Sequence, residues 1–331
     1  MAVLLVIVLP ILVAAVYFYG VYKKRFKEKR PERELIEDAL KNIYDSDGNS
    51  SVTSQSIAGV LRISLASAIQ IVKRLREMGL TEKNTSSVLL TQKGKDYALK
   101  VIRVHRLLEK YYSEETGINE TGWHEEAEKN EHLISSSEIE TLAKKMGNPL
   151  YDPHGDPIPS AEGIVPPRRG ESVQKFSSGD KAEVTHIEDE PEEIYDDLVK
   201  QGLYQGMKVR ILEKDENQII IRGNGTNFTL PIENAQQLNL RKIEPDEQFI
   251  AEYDRLSQLT IGNEATIIGV SKKLRGMQRR RIMDLGFVPG SKVTAYMVGN
   301  GGDPVAYQVK GGTVALRKEQ SEWIFIDKVK A

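Results

Sequence analysis

A repeat governs the second half of this chain. The segment SSGDKAEVTHIEDEPEEIYDDLVKQGLYQGMKVRILEK is answered by TIGNEATIIGVSKKLRGMQRRRIMDLGFVPGSKVTAYMV. Gly179 aligns with Gly262, Gly202 with Gly286 and Gly206 with Gly290, an offset of 83 to 84 residues. Self-similarity at one period means the same supersecondary unit built twice. Each copy offers an alternating strand, a short amphipathic helix, a G-x-x-x-G turn and further strands. Short strands at regular spacing with one inserted helix predict a small SH3-like β-barrel.

The first half is helical. PERELIEDALKNIYD carries an apolar stripe of Leu35, Ala39, Leu40 and Ile43. Next come two helices turning near Ile63 and Ser64. Ile57, Val60 and Leu61 form the stripe of one, and Ile69, Val72 and Leu75 that of the other. Gly79 ends the second. Leu80 to Gly94 reads as two short strands around a polar tip. Helix, helix-turn-helix, hairpin is the winged-helix pattern. If it binds DNA, Ser64, Ser67 and Gln70 face bases, and Lys73, Arg74 and Lys83 face phosphates. A solvated basic face is the bland alternative.

A long helix from Lys95 to Tyr112 follows, then a second helix, and together they carry three of the five histidines. His105 and Glu109 are i,i+4, as are His124 and Glu128, and Glu128 and His132, with Glu131 beside them. Such pairs share one helix face. Imidazole nitrogen converging with carboxylate oxygen suits a divalent transition metal. Single His–Glu pairs are common on solvated helices; two pair-bearing helices close in sequence are less so. SSSEIETLAKKMG is a further helix, capped from Ser135 to Ser137. His154, in the Pro- and Gly-rich NPLYDPHGDPIP, is read as a turn residue rather than a ligand.

With no cysteine in 331 residues, thiolate sites and disulfides are excluded, and any metal takes N and O donors. That favours harder ions such as Mn(II) or Fe(II), with Zn(II) left open. The net charge of −2 gives no whole-chain attraction to nucleic acid. No nucleophile–base constellation or phosphate-binding glycine loop appears, which argues against an enzyme. Ala2 to Tyr22 is an uncharged apolar run of about the ~20 residues a bilayer helix needs. KKRFKEKR follows it and predicts an external N-terminus with all later domains cytoplasmic. The alternative, a cleaved signal peptide, lacks a charged n-region and a small-x-small cleavage site.

From Pro31 to about Pro159 the chain resembles the DtxR/MntR family of iron- and manganese-dependent repressors. IEDALKNIYD, LTQKGKDYA, VHRLLEKYY, WHEEAEKNEHLIS and GNPLYDPHGDPIP carry the likeness. It implies a DNA-binding winged helix, a helical dimerisation domain and a metal site between them. It also implies ligands. His105 and Glu109 match the first helix pair, His124 a ligand of iron-type members, and Glu131 with His132 the Glu-His pair. Glu128 and Asp38 stand where manganese-type members have Glu and Asp. Lys41 departs, replacing a second-metal Glu, and leaves the number of metals open. Leu259 to Asp327 resembles FeoA, the small partner of the ferrous-iron transporter FeoB, and the first barrel resembles the repressors' terminal SH3-like domain. Pro191 and Ile194 stand where that domain supplies ligands in iron-type members. Glu190 or Glu193 are stand-ins, and a solvated acidic loop is the favoured reading.

The expected architecture is multidomain: a transmembrane helix, a winged helix-turn-helix, an all-α dimerisation domain and two small SH3-like β-barrels. The boundaries are an anchor at 1–22, a basic segment at 23–30, the winged helix at 31–98 and the metal-binding and dimerisation domain at 99–160. Beyond them are a linker at 161–175, the first barrel at 176–245, a linker at 246–258 and the FeoA-like barrel at 259–331. The expected function is a membrane-tethered, homodimeric regulator that binds an operator when loaded with Mn2+ or Fe2+. The alternative is a non-DNA-binding partner of a FeoB-type transporter.

Overall fold

The computed structural model describes residues 30–46, 51–82, 87–244 and 253–327. The predicted membrane anchor, most of the basic segment after it and Lys83 lie outside the described residues. No single helix among the described residues is long and apolar enough to cross a membrane. The chain divides into two compact units at Val101 and Ile102.

In the first unit, α1 (Glu32–Asp45), α2 (Ser54–Val60) and α3 (Leu65–Glu77) surround one apolar core. Thr53 closes a capping box with Ser56, and the Ser64 hydroxyl accepts from the Ser67 amide, so each helix start is fixed locally. The pair α2 and α3 is bent by 114°, within the range of a helix-turn-helix. Two stripe residues are corrected. Val60 is 57% and Ile69 52% exposed, while Ile57, Leu61, Ala68, Ile71, Val72 and Leu75 are buried. Short helices give too few turns to fix a stripe's phase from spacing alone. The predicted hairpin is a single bridge, Thr81 to Leu90, among the described residues. Its far end is taken by α4 (Gln92–Glu115), which starts at Gln92 rather than Lys95.

The second unit holds the rest of α4, α5 (Trp123–Asn130) and α6 (Ser136–Lys145). Leu107, Ile139, Ala143 and Ile158 form their small core. Arg103 holds Glu140 with two bonds of 3.0 and 2.9 Å and donates to the Pro159 carbonyl at 2.7 Å. Arg106 donates to the Pro157 carbonyl at 2.7 Å, and together these bonds tie the DPHGDP loop to the helices.

Two six-stranded antiparallel sheets follow. The first comprises β1 (Glu171–Ser172), β2 (Lys181–Ile187), β3 (Lys208–Lys214), β4 (Gln218–Gly223), β5 (Thr226–Pro231) and β6 (Leu238–Lys242) in the order β1-β6-β2-β3-β4-β5. The second comprises β7 (Asp254–Arg255), β8 (Glu264–Val270), β9 (Lys292–Val298), β10 (Val305–Val309), β11 (Gly312–Leu316) and β12 (Ile324–Ile326) in the order β7-β12-β8-β9-β10-β11. The two orders are the same. A helix enters each after its second strand: α7 (Glu192–Gln201) and α8 (Gly276–Asp284). The aligned glycines share backbone angles: φ is 91° and 88° at Gly179 and Gly262, 105° and 98° at Gly202 and Gly286, and 87° and 83° at Gly206 and Gly290. Only glycine takes such angles freely, so the repeat is one of conformation as well as letters. Both predicted linkers are corrected at their ends. β1 lies inside 161–175 and β7 inside 246–258. A two-residue strand has no periodicity to detect.

Candidate metal centre

Five side chains of the second unit converge. Residues one turn apart on α4 bring His105 and Glu109 together, with Nε2 3.2 Å from Oε1. The first turn of α5 brings His124, whose Nδ1 is 3.2 Å from the same Glu109 oxygen and 3.3 Å from Asp189 Oδ2. The DPHGDP loop brings His154, with Nε2 3.7 Å from Glu109 Oε1. That loop is held by Asp152, whose Oδ1 accepts from the amides of His154, Gly155 and Asp156 at 2.9, 2.8 and 2.8 Å. The His154 ring is walled by Tyr195 of α7 at 5.1 Å and by Trp123 at 6.0 Å.

The donors fit a divalent ion. The facing atoms of His105, Glu109 and His124, and those of Glu109, His154 and Asp189, lie within 4.8 Å of one another. Two ligands on opposite sides of one ion at about 2.0–2.2 Å are spaced about that far. His154 is 3% exposed, and its Nε2 has no hydrogen-bond partner. A buried polar atom of that kind is costly unless something occupies its lone pair.

The electrostatics agree. Burial opposes ionisation of Glu109, yet the charge and hydrogen bond of His105 and the hydrogen bond of His124 hold its carboxyl well below the usual carboxylate range. Burial likewise opposes ionisation of Asp189, but its bond to His124 keeps the carboxyl low. Burial would lower His124, but bonds to Asp189, Glu109 and Glu128 outweigh it and push it up to about 12. The carboxylates of Glu109 and Asp189 thus favour positive charge at the point where the imidazoles meet them.

The predicted ligands are distributed as follows. His105, Glu109 and His124 meet in this cluster. Glu131 is buried, its Oε2 2.5 Å from His105 Nδ1 and its Oε1 3.5 Å from His132 Nε2. His105 thus joins the Glu131–His132 pair to the cluster. Glu128, 57% exposed at its side chain, pairs with His124 Nε2 at 3.4 Å. Asp38 is on α1 of the first unit and is ion-paired with Arg30. His154 sits in a turn, as its sequence context predicts, and that turn is folded into the cluster. The acidic loop does enter the centre, through Asp189; Glu190 and Glu193 stay exposed. A histidine inside a loop whose aspartate-type cap orders it was the available signal for His154.

The predicted DNA contacts among the described residues belong to the first unit. Ser64 caps α3 and its Oγ is 2.8 Å from Ser67 Oγ. Gln70 is exposed. Lys73 pairs with Glu77 at 3.9 Å, and Arg74 with Glu32 at 3.6 Å and Glu77 at 3.3 Å.

Family models account for most of the chain. The iron dependent repressor N-terminal DNA binding domain matches residues 33–87, its metal binding and dimerisation domain matches 91–160, and the FeoA domain matches twice, at 172–242 and 255–328. The chain thus carries, in order, the DNA-binding domain and the metal-binding and dimerisation domain of the DtxR/IdeR-type metal-dependent repressors, followed by two FeoA domains. The iron-dependent repressor IdeR of Mycobacterium leprae is 29% identical over 226 residues, 63% of this chain and 98% of that protein. A solved manganese-dependent transcriptional repressor in complex with manganese superposes with a TM-score of 0.58 at 29% identity, covering 62% of this chain and 99% of that one. A fusion of Fe(2+) transport protein A with the transporter FeoB from Porphyromonas gingivalis is 36% identical over 75 residues, 23% of this chain and 9% of that protein. The family's domains are those of a DNA-binding, dimerising regulator that depends on a divalent metal, not those of an enzyme.

Proposed function

We propose that this DtxR/IdeR-type chain is a membrane-tethered transcriptional regulator that binds its operator as a dimer when loaded with Mn2+ or Fe2+. The observation that carries the metal reading is the buried His154 Nε2, without a hydrogen-bond partner and turned toward a cage of His105, Glu109, His124 and Asp189. An all-N,O donor set in a chain without cysteine favours the harder ions. A divalent ion would be held here by Glu109 and Asp189 as carboxylates and by His105, His124 and His154 as neutral imidazoles, and would supply the positive charge these donors face. The other ring nitrogen of His105 rests on Glu131. From the resemblance alone, Asp38, Glu128, Glu131 and His132 are the primary ligand set, with His105 in the neighbouring site, and Asp38 would link the ion to the DNA-binding domain. A ligand shifts a two-state protein only through differential affinity for the states. The tether is supported by the uncharged run Ala2 to Tyr22 with basic residues after it.

The test is operator binding by the full chain, selected from genomic DNA with Mn2+ or with chelator. Specific sites enriched only with metal, and lost in His132→Ala, are the expected result. Equal enrichment under both conditions would sink the reading. A second reading, a partner of a FeoB-type transporter, draws on the likeness to the FeoA–FeoB fusion. It predicts a copurified transporter and no enriched sites.

A further inference from the structure

The second β domain packs against the chain segments that carry the cluster. Arg275 sits at the start of α8. Its guanidinium lies over the Trp123 ring at 5.1 Å, and its Nη1 donates to the Pro153 carbonyl at 3.0 Å. Trp123 directly precedes His124, and Pro153 directly precedes His154. One side chain thus grips the peptide segments that carry two of the cluster's histidines. The docking is close. At Gly276, with φ 51°, an added Cβ would lie 1.9 Å from the Glu114 carbonyl oxygen, so α8 begins flush against the end of α4. Farther along, Arg280 pairs with Glu115 at 2.7 Å. On the other flank, Lys272 bridges to Glu183 of the first β domain at 2.7 Å, and Glu183 also holds Arg241 at 2.7 Å.

We propose that the second β domain is a clamp on the metal centre, with Arg275 as its positioning residue. Arg275 fixes where His124 and His154 present their nitrogens to Glu109, so metal affinity depends on the docked domain. Coupling between two binding events is reciprocal, so metal loading tightens the docking in return. Groups that orient ligands without touching the ion commonly change metal affinity by a factor of about 10–100. Arg275 acts through one further peptide link, and its effect is smaller. The proposal rests on the reading of this cluster as a metal site, and it is independent of DNA.

The experiment titrates the full chain with Mn(II) alone, following free Mn(II) by its EPR signal, and adds hydrogen–deuterium exchange over residues 276–284. Arg275→Ala is expected to weaken one class of Mn(II) sites about threefold to tenfold. Arg275→Lys, which keeps a cation for Trp123 and a donor for Pro153, restores most of that loss. Arg280→Ala, which removes only an exposed ion pair worth little to the docking, leaves affinity within about twofold. Mn(II) slows exchange over 276–284 in the wild type and has no such effect in Glu109→Gln. Wild-type affinity in a folded Arg275→Ala, or exchange over 276–284 unchanged by bound Mn(II), overturns the clamp and leaves the metal reading standing. A wild type that takes up no Mn(II) overturns both.

Discussion

At the residue scale, the informative contrast is between Asp189 and Glu190. They are adjacent acids in one loop, yet Asp189 is ion-paired with His124 while Glu190 is exposed. No sequence rule separates them, because what distinguishes them is the direction the loop takes on leaving β2. We expect Asp189→Asn and His154→Gln each to weaken Mn(II) binding by at least about tenfold, and Glu190→Gln to leave it unchanged, in the same free-metal titration. Equal losses in Asp189→Asn and Glu190→Gln would mean that loop charge, not ligation, attracts the ion. The i,i+4 pairs were legible because a helix fixes its own geometry. Asp189 and His154 come from 80 and 45 residues beyond Glu109 in the chain, and only folding brings them near.

At the element scale, α3 and α4 show how much a stripe can mislead. Ile69 falls on the spacing of the apolar stripe yet stands on the exposed face with Leu65 and Gln70. Apolar groups there suit the thymine methyl of the major groove. Ile69→Ala should therefore leave thermal stability within about 0.5 kcal/mol but weaken operator binding, measured by anisotropy on the selected site. Unaltered affinity would remove Ile69 from the recognition surface. Gly94 has the opposite character. A Cβ there would lie 2.0 Å from the Leu80 carbonyl oxygen, because α4 starts against the chain leaving α3. Gly94→Ala should cost about 1–3 kcal/mol through forced backbone movement, read as an earlier unfolding transition of the first unit in urea. A midpoint unmoved by the substitution would show that the contact relaxes freely.

At the scale of the second unit, the duplicated β domains do different work from one design. The first sends Asp189 and Tyr195 into the cluster; the second reaches it through Arg275. Between them stands Glu183, bridged to Lys272 and Arg241. Burial would raise its carboxyl, but those two cations outweigh it and hold it below the usual range. A depressed folded value means the stabilisation is fully present above the unfolded value of about 4.5 and is lost as pH falls through the folded one. With both cations partly exposed, the contribution is about 0.5–1 kcal/mol. In metal-free chain, the stability gap between wild type and Glu183→Gln should be constant near neutrality and close below about pH 4.5. A gap that persists undiminished into acid would assign the effect of the substitution to packing.

The sequence by itself determined the repeat, the helix order, the winged-helix plan and the His105, Glu109 and His124 part of the cluster. These are properties of periodicity, of glycines needing positive φ and of helix pitch, all written within a few residues. Tertiary structure decided the rest. It chose which face of α3 is covered, turned the DPHGDP loop inward, selected one acid of the 188–193 run, and set Arg275 against Trp123 and Pro153. Each of these depends on how separate segments pack, and packing is a relation between distant residues that local pattern does not encode.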